Sequence, residues 1–266
     1  MTGISCRELV LDDRGASGDR RWMLVDEFGR FISQREMPLL CMFDIAHSEA
    51  GYRVTAREML DGTMGVDINL MQESGVETDV TVWSDTVRAI EAPEHVNQFF
   101  SEALAMRCRL VYMPEQSLRK ADSKYAGEDV LTAFSDGYPL LLIGSASLDD
   151  LNRRLKNVQE LEIGWDRFRP NIVAHTHEAW VEDAWSDFSM GEVRARGVKL
   201  CSRCVMTTIN QADGTKSKEP LKTLASYRNF GGKVMVGQNV VAGKGIIRVG
   251  DHIQVNAFGF PPNAKS

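Results

Sequence analysis

Cysteine is scarce in this sequence, which contains five cysteines among its 266 residues. Only Cys201 and Cys204 are close together, as one C-x-x-C pair. No second C-x-x-C and no H-x₃-H accompanies them, so the two further ligands of a structural zinc site are missing. His175 and His177 form no known zinc spacing with this pair. The odd, scattered set also argues against a disulfide framework and favours a reducing compartment.

Positive charge and long apolar runs are lacking as well. The sequence has 31 lysines and arginines against 37 acidic residues, for a net charge of -6. Nucleic acid is therefore not expected as a main partner, although a local group of arginines could still bind an anionic cofactor. The longest apolar runs, such as residues 140–143, are too short to span a membrane. Residues 1–12 have no signal-peptide pattern, so we expect a cytoplasmic protein without a membrane partner.

The C-S-R-C segment at residues 201–204 is the densest group of reactive side chains in the sequence. The β-branched run at 205–210 and the Asp-Gly turn at 213–214 predict a strand that begins at Cys204 and ends in a hairpin. A thiolate at the start of a strand, beside the fixed charge of Arg203, suits a soft metal or an anion. Half of a zinc site, a dithiol redox pair and two buried thiols remain alternatives. A thioredoxin-like motif would open a helix, which disfavours the redox pair.

Hydrophobic periodicity and turn signals predict short strands and a few helices in the rest of the chain. Strands are predicted at residues 22–25, 31–33, 80–83, 107–112, 140–143, 168–173 and 251–255, and after a G-Q-N segment at 237–239. Turns are predicted at 26–29, 61–62, 182–185 and 191–193. Helices are predicted at 93–105, from Ser147 with Asp150 as its capping partner, and at 219–228. The first helix would bury Val96, Phe99, Phe100 and Leu104 on one face. Polar residues 117–131 place a domain boundary near Pro114.

Several short motifs, in a fixed order, resemble the MOSC domain. They are F-R-P-N-I-V at 168–173, E-D-A-W at 182–185, C-S-R-C at 201–204, T-T at 207–208, K-E-P-L at 218–221 with Y-R at 227–228, and G-Q-N at 237–239. Two more, G-D-R-R-W-M at 18–23 and S-Q-R-E-M-P at 33–38, resemble the N-terminal β-barrel domain of the same proteins. MOSC is the C-terminal domain of molybdenum cofactor sulfurases. The similarity is greatest to the mitochondrial amidoxime-reducing components and their bacterial relatives.

The resemblance implies a mixed α/β, β-rich fold in two parts. An N-terminal MOSC β-barrel-like domain would span residues 1–113, and a C-terminal MOSC β-barrel domain with a few short helices would span residues 114–266. Mitochondrial members of the family carry a membrane-anchoring leader. The present sequence shows none, which favours a bacterial-like, cytoplasmic protein.

The resemblance also implies a molybdenum cofactor, a pterin whose dithiolene holds the metal and which ends in a phosphate. Cys204 is at the position of the molybdenum ligand and would be the catalytic residue, whereas Cys201 is expected to be structural or a spectator. Arg35 matches the arginine that holds the phosphate, a task that suits its two-pronged side chain. The other positions with an implied cofactor contact are Ser5, Asp136, Arg169, Asn171, Ser202, Arg203, Arg228 and Asn239.

Some of these positions allow a purely structural interpretation. The family's lysine before the first serine is replaced here by Ile4, so one phosphate contact is lost or the correspondence is loose. Asp136 could belong to a plain Asp-Gly turn, and Asn171 could cap its own turn. Arg228 could bind only the last carbonyls of the preceding helix.

The implied reaction is the two-electron reduction of a small N-hydroxylated compound. No cysteine follows residue 256, so electrons would come from a separate ferredoxin, flavodoxin or cytochrome-b5-like donor. Loops around Asp183, Trp185 and Gln238 are expected to select the substrate. A different hypothesis is a sulfur carrier that holds a persulfide on Cys204 and needs no molybdenum. A third is a structural β-protein with free thiols.

Overall fold

A computed structural model describes residues 1–57, 65–261 and 263 of the chain. Within these residues the fold is β-rich, with 17 strands and four α-helices. This confirms the fold class predicted from the sequence. None of the helices in the described part of the chain is long and apolar enough to cross a membrane.

The strands are short and follow one another closely. In the first part of the chain they are β1 Glu8–Asp12, β2 Gly15–Ala16, β3 Trp22–Asp26, β4 Phe43–Ser48, β5 Gly51–Ala56, β6 Gly65–Asn69, β7 Glu77–Val82, β8 Asp85–Glu91 and β9 Cys108–Tyr112. Later strands are β10 Leu140–Gly144, β11 Ile172–Ala174, β12 Trp185–Met190, β13 Val193–Ser202, β14 Asn229–Phe230, β15 Lys233–Ala242, β16 Gly245–Arg248 and β17 Ile253–Phe258. The helices are α1 Glu94–Leu104, α2 Ser123–Ala126, α3 Ser145–Asn157 and α4 Leu221–Ala225.

Two sheets and one helix form the first hydrophobic core. One sheet has the order β3-β9-β8-β7, and the other has the order β4-β5-β6. The predicted apolar face of α1 is confirmed, because Val96, Phe99, Phe100 and Leu104 are all buried. The ring centroids of Phe100 and of Phe43 in β4 lie 5.3 Å apart. Each such fully buried side chain contributes about 1.5–3 kcal/mol.

A seven-stranded sheet forms the second core, with the order β11-β10-β15-β13-β12-β17 and β14 paired to β15. β10 and β11 run parallel, and α3 lies between them in the chain. Its residues Leu148, Leu151 and Leu155 are buried against this sheet, as the sequence predicts. The start of the chain joins the same region, since β1 pairs with β16 in the register Val10↔Ile246. The division of the chain at residue 114 stays a prediction.

The segment after the cysteine pair is not a strand, contrary to the sequence-based expectation. β13 ends at Ser202, and Val205–Thr208 forms a 3₁₀ turn. The hydroxyls of Thr207 and Thr208 donate to the carbonyls of Cys204 and Val205, three residues earlier. These local bonds compete with strand pairing, which β-branched composition alone does not reveal. The Asp-Gly turn is present, and one isolated β-bridge, Ile209↔Lys216, joins the residues on either side of it.

The predicted capping box of α3 is also wrong. Gly144 caps the helix, and Ser147 lies inside it, where its hydroxyl donates to Glu182 at 2.7 Å. Asp150 accepts hydrogen bonds from Arg154 and from the indole of Trp180. Both polar side chains therefore serve long-range contacts instead of the helix end.

Several boundaries differ from the predictions. The segment at 168–173 becomes a strand only at Ile172, after a 3₁₀ turn at Trp165–Arg167. The G-Q-N segment lies inside β15 and does not precede a strand, the last strand is Ile253–Phe258, and β16 was not predicted. Residues 31–33 form only an isolated bridge at Phe31. Residues 227–228 lie beyond the end of α4 at Ala225. The predicted turn at Asp61 and Gly62 falls outside the described residues.

Candidate functional site

Cys204 lies two residues after the end of β13, at the start of the 3₁₀ turn, and its side chain is half-buried. Its sulfur accepts a hydrogen bond from Arg35 Nε at 3.4 Å. Arg35 Nη2 lies 3.8 Å from a carboxylate oxygen of the exposed Asp136. The structure therefore brings together three of the predicted site residues from three distant parts of the chain.

Arg35 is held in place by neighbours that were not predicted. Its guanidinium lies over the ring of Trp83, 4.6 Å from the ring centroid, a distance typical of a cation–π contact. Lys216 Nζ donates to the Arg35 carbonyl at 3.3 Å. Trp83 follows β7, is 45% exposed and has a left-handed backbone with φ of 57°. The sequence placed it in a strand, where its indole would look like an ordinary sheet residue.

Arg119 holds the loop that carries Asp136 through hydrogen bonds to backbone carbonyls of that loop. Arg119 is buried and donates to the carbonyls of Ala133 and Ser135 and to the carboxylate of Asp85. No sequence signal marked this arginine, because it lies in the polar segment assigned to a domain boundary.

A second group of predicted residues lies around Asn171. Its amide nitrogen donates to Asp19 Oδ2 at 2.9 Å, and its amide oxygen accepts from the backbone of Leu141 at 3.0 Å. Asp19 also forms an ion pair with Arg20. Asn171 therefore joins the segment before β3 to β10. In these contacts it serves as a bridge between segments.

The charges of this group influence one another strongly. Burial, followed by repulsion from Arg20, lowers the pKa of Arg169 to about 10. Asp19 raises the pKa of Arg20. Burial alone would raise the pKa of Asp19, but Arg20, Asn171 and Arg169 outweigh it, so the pKa is lowered. The carboxylate is thus kept ionised between two arginines.

Arg203 has an unsatisfied donor. Its Nε donates to the carbonyl of Val236 at 3.0 Å, and its Nη1 lies 3.5 Å from the carbonyl of Phe168. Its Nη2 is buried and has no hydrogen-bond partner among the described residues. Buried donors are normally paired, so this nitrogen is a candidate for contact with a ligand. The side chain of the neighbouring Ser202 is exposed.

Cys201 is the second-last residue of β13. It is half-buried and packs against the core cluster that contains Phe168. Burial raises the pKa of its thiol, with Arg203 as the main opposing influence. It is therefore kept protonated more strongly than an exposed cysteine.

Three predicted site residues form no side-chain hydrogen bond with Cys204, Arg35, Asp136 or Asn171 in the described structure. Ser5 is exposed before β1. Asn239 is in the middle of β15, paired in register with Leu141 and Lys199. Arg228 is buried and donates to Asp183 Oδ2 at 2.5 Å. Their cofactor contacts stay predictions.

The prediction that Asp183, Trp185 and Gln238 lie in loops that line a substrate pocket is wrong. Asp183, Trp185 and Gln238 are 3%, 6% and 0% exposed. Gln238 packs between strands, and Asp183 is engaged by Arg228. Polar residues in an E-D-x-W pattern were read as a loop, whereas they form an internal polar network.

Within the described residues no group of three histidine, cysteine or acidic side chains could hold a metal ion. His175 instead lies 3.4 Å from the hydroxyl of Ser145. A metal at Cys204 would need further ligands from a cofactor. The residues present fit such a group, because a soft sulfur donor accepts from Arg35 and one nitrogen of the neighbouring Arg203 has no acceptor among the described residues.

Two family models match the chain. Residues 1–107 match the MOSC N-terminal beta barrel domain, and residues 129–254 match the MOSC domain. The chain is 30% identical to mitochondrial amidoxime-reducing component 1 of Mus musculus over 250 residues, which cover 88% of this chain and 71% of that protein. It is 32% identical to mitochondrial amidoxime reducing component 2 of Rattus norvegicus over 237 residues, covering 85% and 68%.

A molybdenum cofactor sulfurase of Oryza sativa subsp. japonica is 29% identical over 286 residues. That match covers 97% of this chain but 34% of the sulfurase, so the chain spans about a third of that relative. The chain belongs to the MOSC-domain family, with both the N-terminal barrel domain and the MOSC domain.

Proposed function

We propose that this protein binds the molybdenum cofactor through Cys204 and reduces small N-hydroxylated compounds with electrons from a separate carrier protein. The observation that carries the proposal is the Cys204 sulfur, which accepts from Arg35 Nε at 3.4 Å and follows Arg203, whose Nη2 has no partner in the described part of the chain. Relatives named amidoxime-reducing components support the reaction. When bound, the cofactor supplies the two-electron chemistry that removes oxygen from an N–O bond.

Each residue of the site has a distinct task in this proposal. Cys204 provides the thiolate ligand, which a soft metal prefers and whose deprotonation metal binding favours. Arg35 stabilises negative charge on that sulfur, and Trp83 beneath it keeps the guanidinium in place. Arg203 offers its free Nη2 to the pterin. No side chain need act as a nucleophile.

The arginines also explain how an acidic protein can hold an anionic cofactor. In the described part of the chain, the carboxylates that act on Arg20, Arg35 and Arg169 are Asp19 and the exposed Asp136. The local charge is therefore positive although the net charge is -6. Local charge decides binding, since distant surface charges are screened.

The proposal is tested with protein made in a host that synthesises the cofactor. An aryl amidoxime and a chemical reductant such as reduced methyl viologen should yield the amidine. Cys204→Ser should abolish this activity, and Cys201→Ser, a matched change three residues away, should retain most of it. Activity in Cys204→Ser equal to wild type would contradict the proposal.

The requirement for an outside donor is tested separately. The purified protein should not turn over with NADH alone and should do so when a ferredoxin, flavodoxin or cytochrome-b5-like protein and its reductase are added. Steady turnover with NADH and no carrier would overturn this part of the proposal.

A further inference from the structure

The residues that the sequence assigned to substrate selection are closed off from solvent. Asp183, Trp185 and Gln238 are 3%, 6% and 0% exposed. The substrate of the proposed reaction would therefore be held by other side chains. Small-molecule sites combine apolar surface with a few polar groups, so exposed apolar side chains next to Cys204 are the natural candidates.

Two exposed apolar side chains lie beside Cys204. Val205 follows it directly in the chain and is 43% exposed. Trp83 is 45% exposed, and one side chain separates its indole from the sulfur. Arg35 Nε donates to the sulfur at 3.4 Å, and the Arg35 guanidinium lies 4.6 Å from the ring centroid of Trp83. The half-open indole therefore offers apolar area that a molecule bound at this site can cover.

The indole of Trp83 is presented by a strained turn. Val82 pairs with Asp85, so Trp83 and Ser84 form a two-residue turn between β7 and β8. Where φ is positive, such turns favour glycine or asparagine, yet Trp83 adopts φ of 57°. Backbone strain of this kind clusters at active sites and ligand clamps. A tryptophan at this turn position thus points to a role at the site.

Trp83 is also held on two sides and is not a loose surface side chain. The ring centroid of Phe31 lies 5.0 Å away at an interplanar angle of 53°, and Arg35 covers part of the indole. A rigid aromatic side chain loses little conformational entropy when a ligand packs against it. Its exposed part is a preformed surface for a flat apolar group, with Arg35 and Asp136 as the polar groups nearby.

We propose that Trp83, together with Val205, binds the aromatic body of the substrate and so selects N-hydroxylated compounds built on a flat aromatic framework. An aryl ring gains affinity at this surface both from burial and from aromatic packing, whereas a methyl group in its place gains little. This inference rests on the proposed function for the reaction, and it adds the substrate class and the residue that selects it.

The experiment compares benzamidoxime with acetamidoxime, which share the reacting group and differ in a phenyl ring against a methyl group. The cofactor-loaded full chain is used, and reduced methyl viologen supplies the electrons. The measured quantity is the ratio of the two kcat/KM values. Trp83→Asn, whose new side chain suits the positive φ, should lower this ratio about fivefold or more, because the aromatic contact is lost. Trp83→Phe should keep most of the wild-type ratio.

The ratio separates selection of the substrate from support of Arg35. A displaced guanidinium would slow both substrates alike, so Arg35→Gln should lower both kcat/KM values and leave their ratio within about twofold of wild type. Phe258→Asn is the matched control, because it removes another exposed aromatic side chain, 67% exposed in the edge strand β17. This variant should not change the ratio.

An unchanged ratio in Trp83→Asn would overturn the proposal. So would a Trp83→Asn protein that is slow only when a carrier protein supplies the electrons, since the indole would then serve to dock the carrier.

Failure of the proposed function would be recognised separately, as a wild-type protein that takes up no molybdenum and reduces neither amidoxime. Saturation-transfer NMR with cofactor-free protein tests the role of Trp83 in that case as well. The ring protons of benzamidoxime should receive saturation from wild type and much less from Trp83→Asn. Equal transfer from both proteins would contradict the proposal.

Discussion

Removal of Arg228 should destabilise the protein more than removal of any surface arginine. Arg228 Nη2 donates to Asp183 Oδ2 at 2.5 Å, and the two side chains are 7% and 4% exposed. Arg228 Nε also donates to the carbonyl of Met235 at 3.1 Å, and its guanidinium lies 4.1 Å from the ring centroid of Trp180. The pair is enclosed, so water cannot replace either partner.

The size of the effect follows from the charge left behind. Breaking a buried ion pair by removing one partner costs about 3–5 kcal/mol. In Arg228→Met the carboxyl of Asp183 loses the charge that opposes desolvation, and burial already raises its pKa to about 6. The carboxyl then takes up a proton near neutral pH, which limits the loss. For a chain of this size we expect the thermal midpoint to fall by roughly 6–20 °C.

Differential scanning calorimetry on the single and double variants tests this reasoning. Asp183→Leu combined with Arg228→Met should recover much of the loss, because apolar replacement of both partners is nearly neutral. Arg153→Met, which affects a pair with an arginine that is 68% exposed, should stay within about 0.5 kcal/mol of wild type. A single variant as stable as wild type, or a double variant no better than the single, would refute the account.

The same variants separate a structural role of Arg228 from the predicted cofactor contact. If Arg228 only supports the polar network, the double variant should retain the cofactor when it folds. Loss of pterin from a well-folded double variant would instead support the contact predicted from the sequence.

Three other predictions concern residues around this network and the site. Burial raises the pKa of Asp183 from 3.8 to about 6, so the contribution of this carboxyl to stability is full below pH 3.8 and is lost as the pH rises through 6. Urea unfolding should show wild type losing roughly 2 kcal/mol relative to Asp183→Asn between pH 4 and 7. Gly237→Ala should lower the free energy of unfolding by about 2–4 kcal/mol in the same assay, because φ is 76° and the new Cβ would lie 2.6 Å from Ile143. Gly231→Ala, where φ is 56° and the space around the new Cβ is open, should lower it by about 1 kcal/mol. Arg119→Gln should speed amide hydrogen exchange at residues 132–138, which its guanidinium holds, and unchanged exchange would contradict that role.

The fold class and part of the site could be predicted from the sequence. The apolar stripe of α1 and the continuous apolar run of β10 identified these elements, because α1 is buried on one face and β10 along its whole length. Cys204, Arg35 and Asp136 were predicted through their motifs, and the structure places them together.

The remaining site residues could not be predicted because their neighbours are distant in sequence. Arg20 and Arg119 read as ordinary surface charges until the fold surrounds them with carbonyls and carboxylates. Asp183 and Gln238 read as loop residues, although they are buried together. The strand predicted at Cys204 failed because threonine hydroxyls bonded back to the chain, a local competition that composition does not reveal.

The most direct test of the central claim is the molybdenum and pterin content of protein purified from a host that makes the cofactor. Wild type should contain stoichiometric molybdenum with pterin, and Cys201→Ala should match it. Cys204→Ala should lose the metal and retain pterin, since the arginines still bind the anionic part. Wild-type protein with neither metal nor pterin would contradict the account and favour a persulfide carrier that uses Cys204.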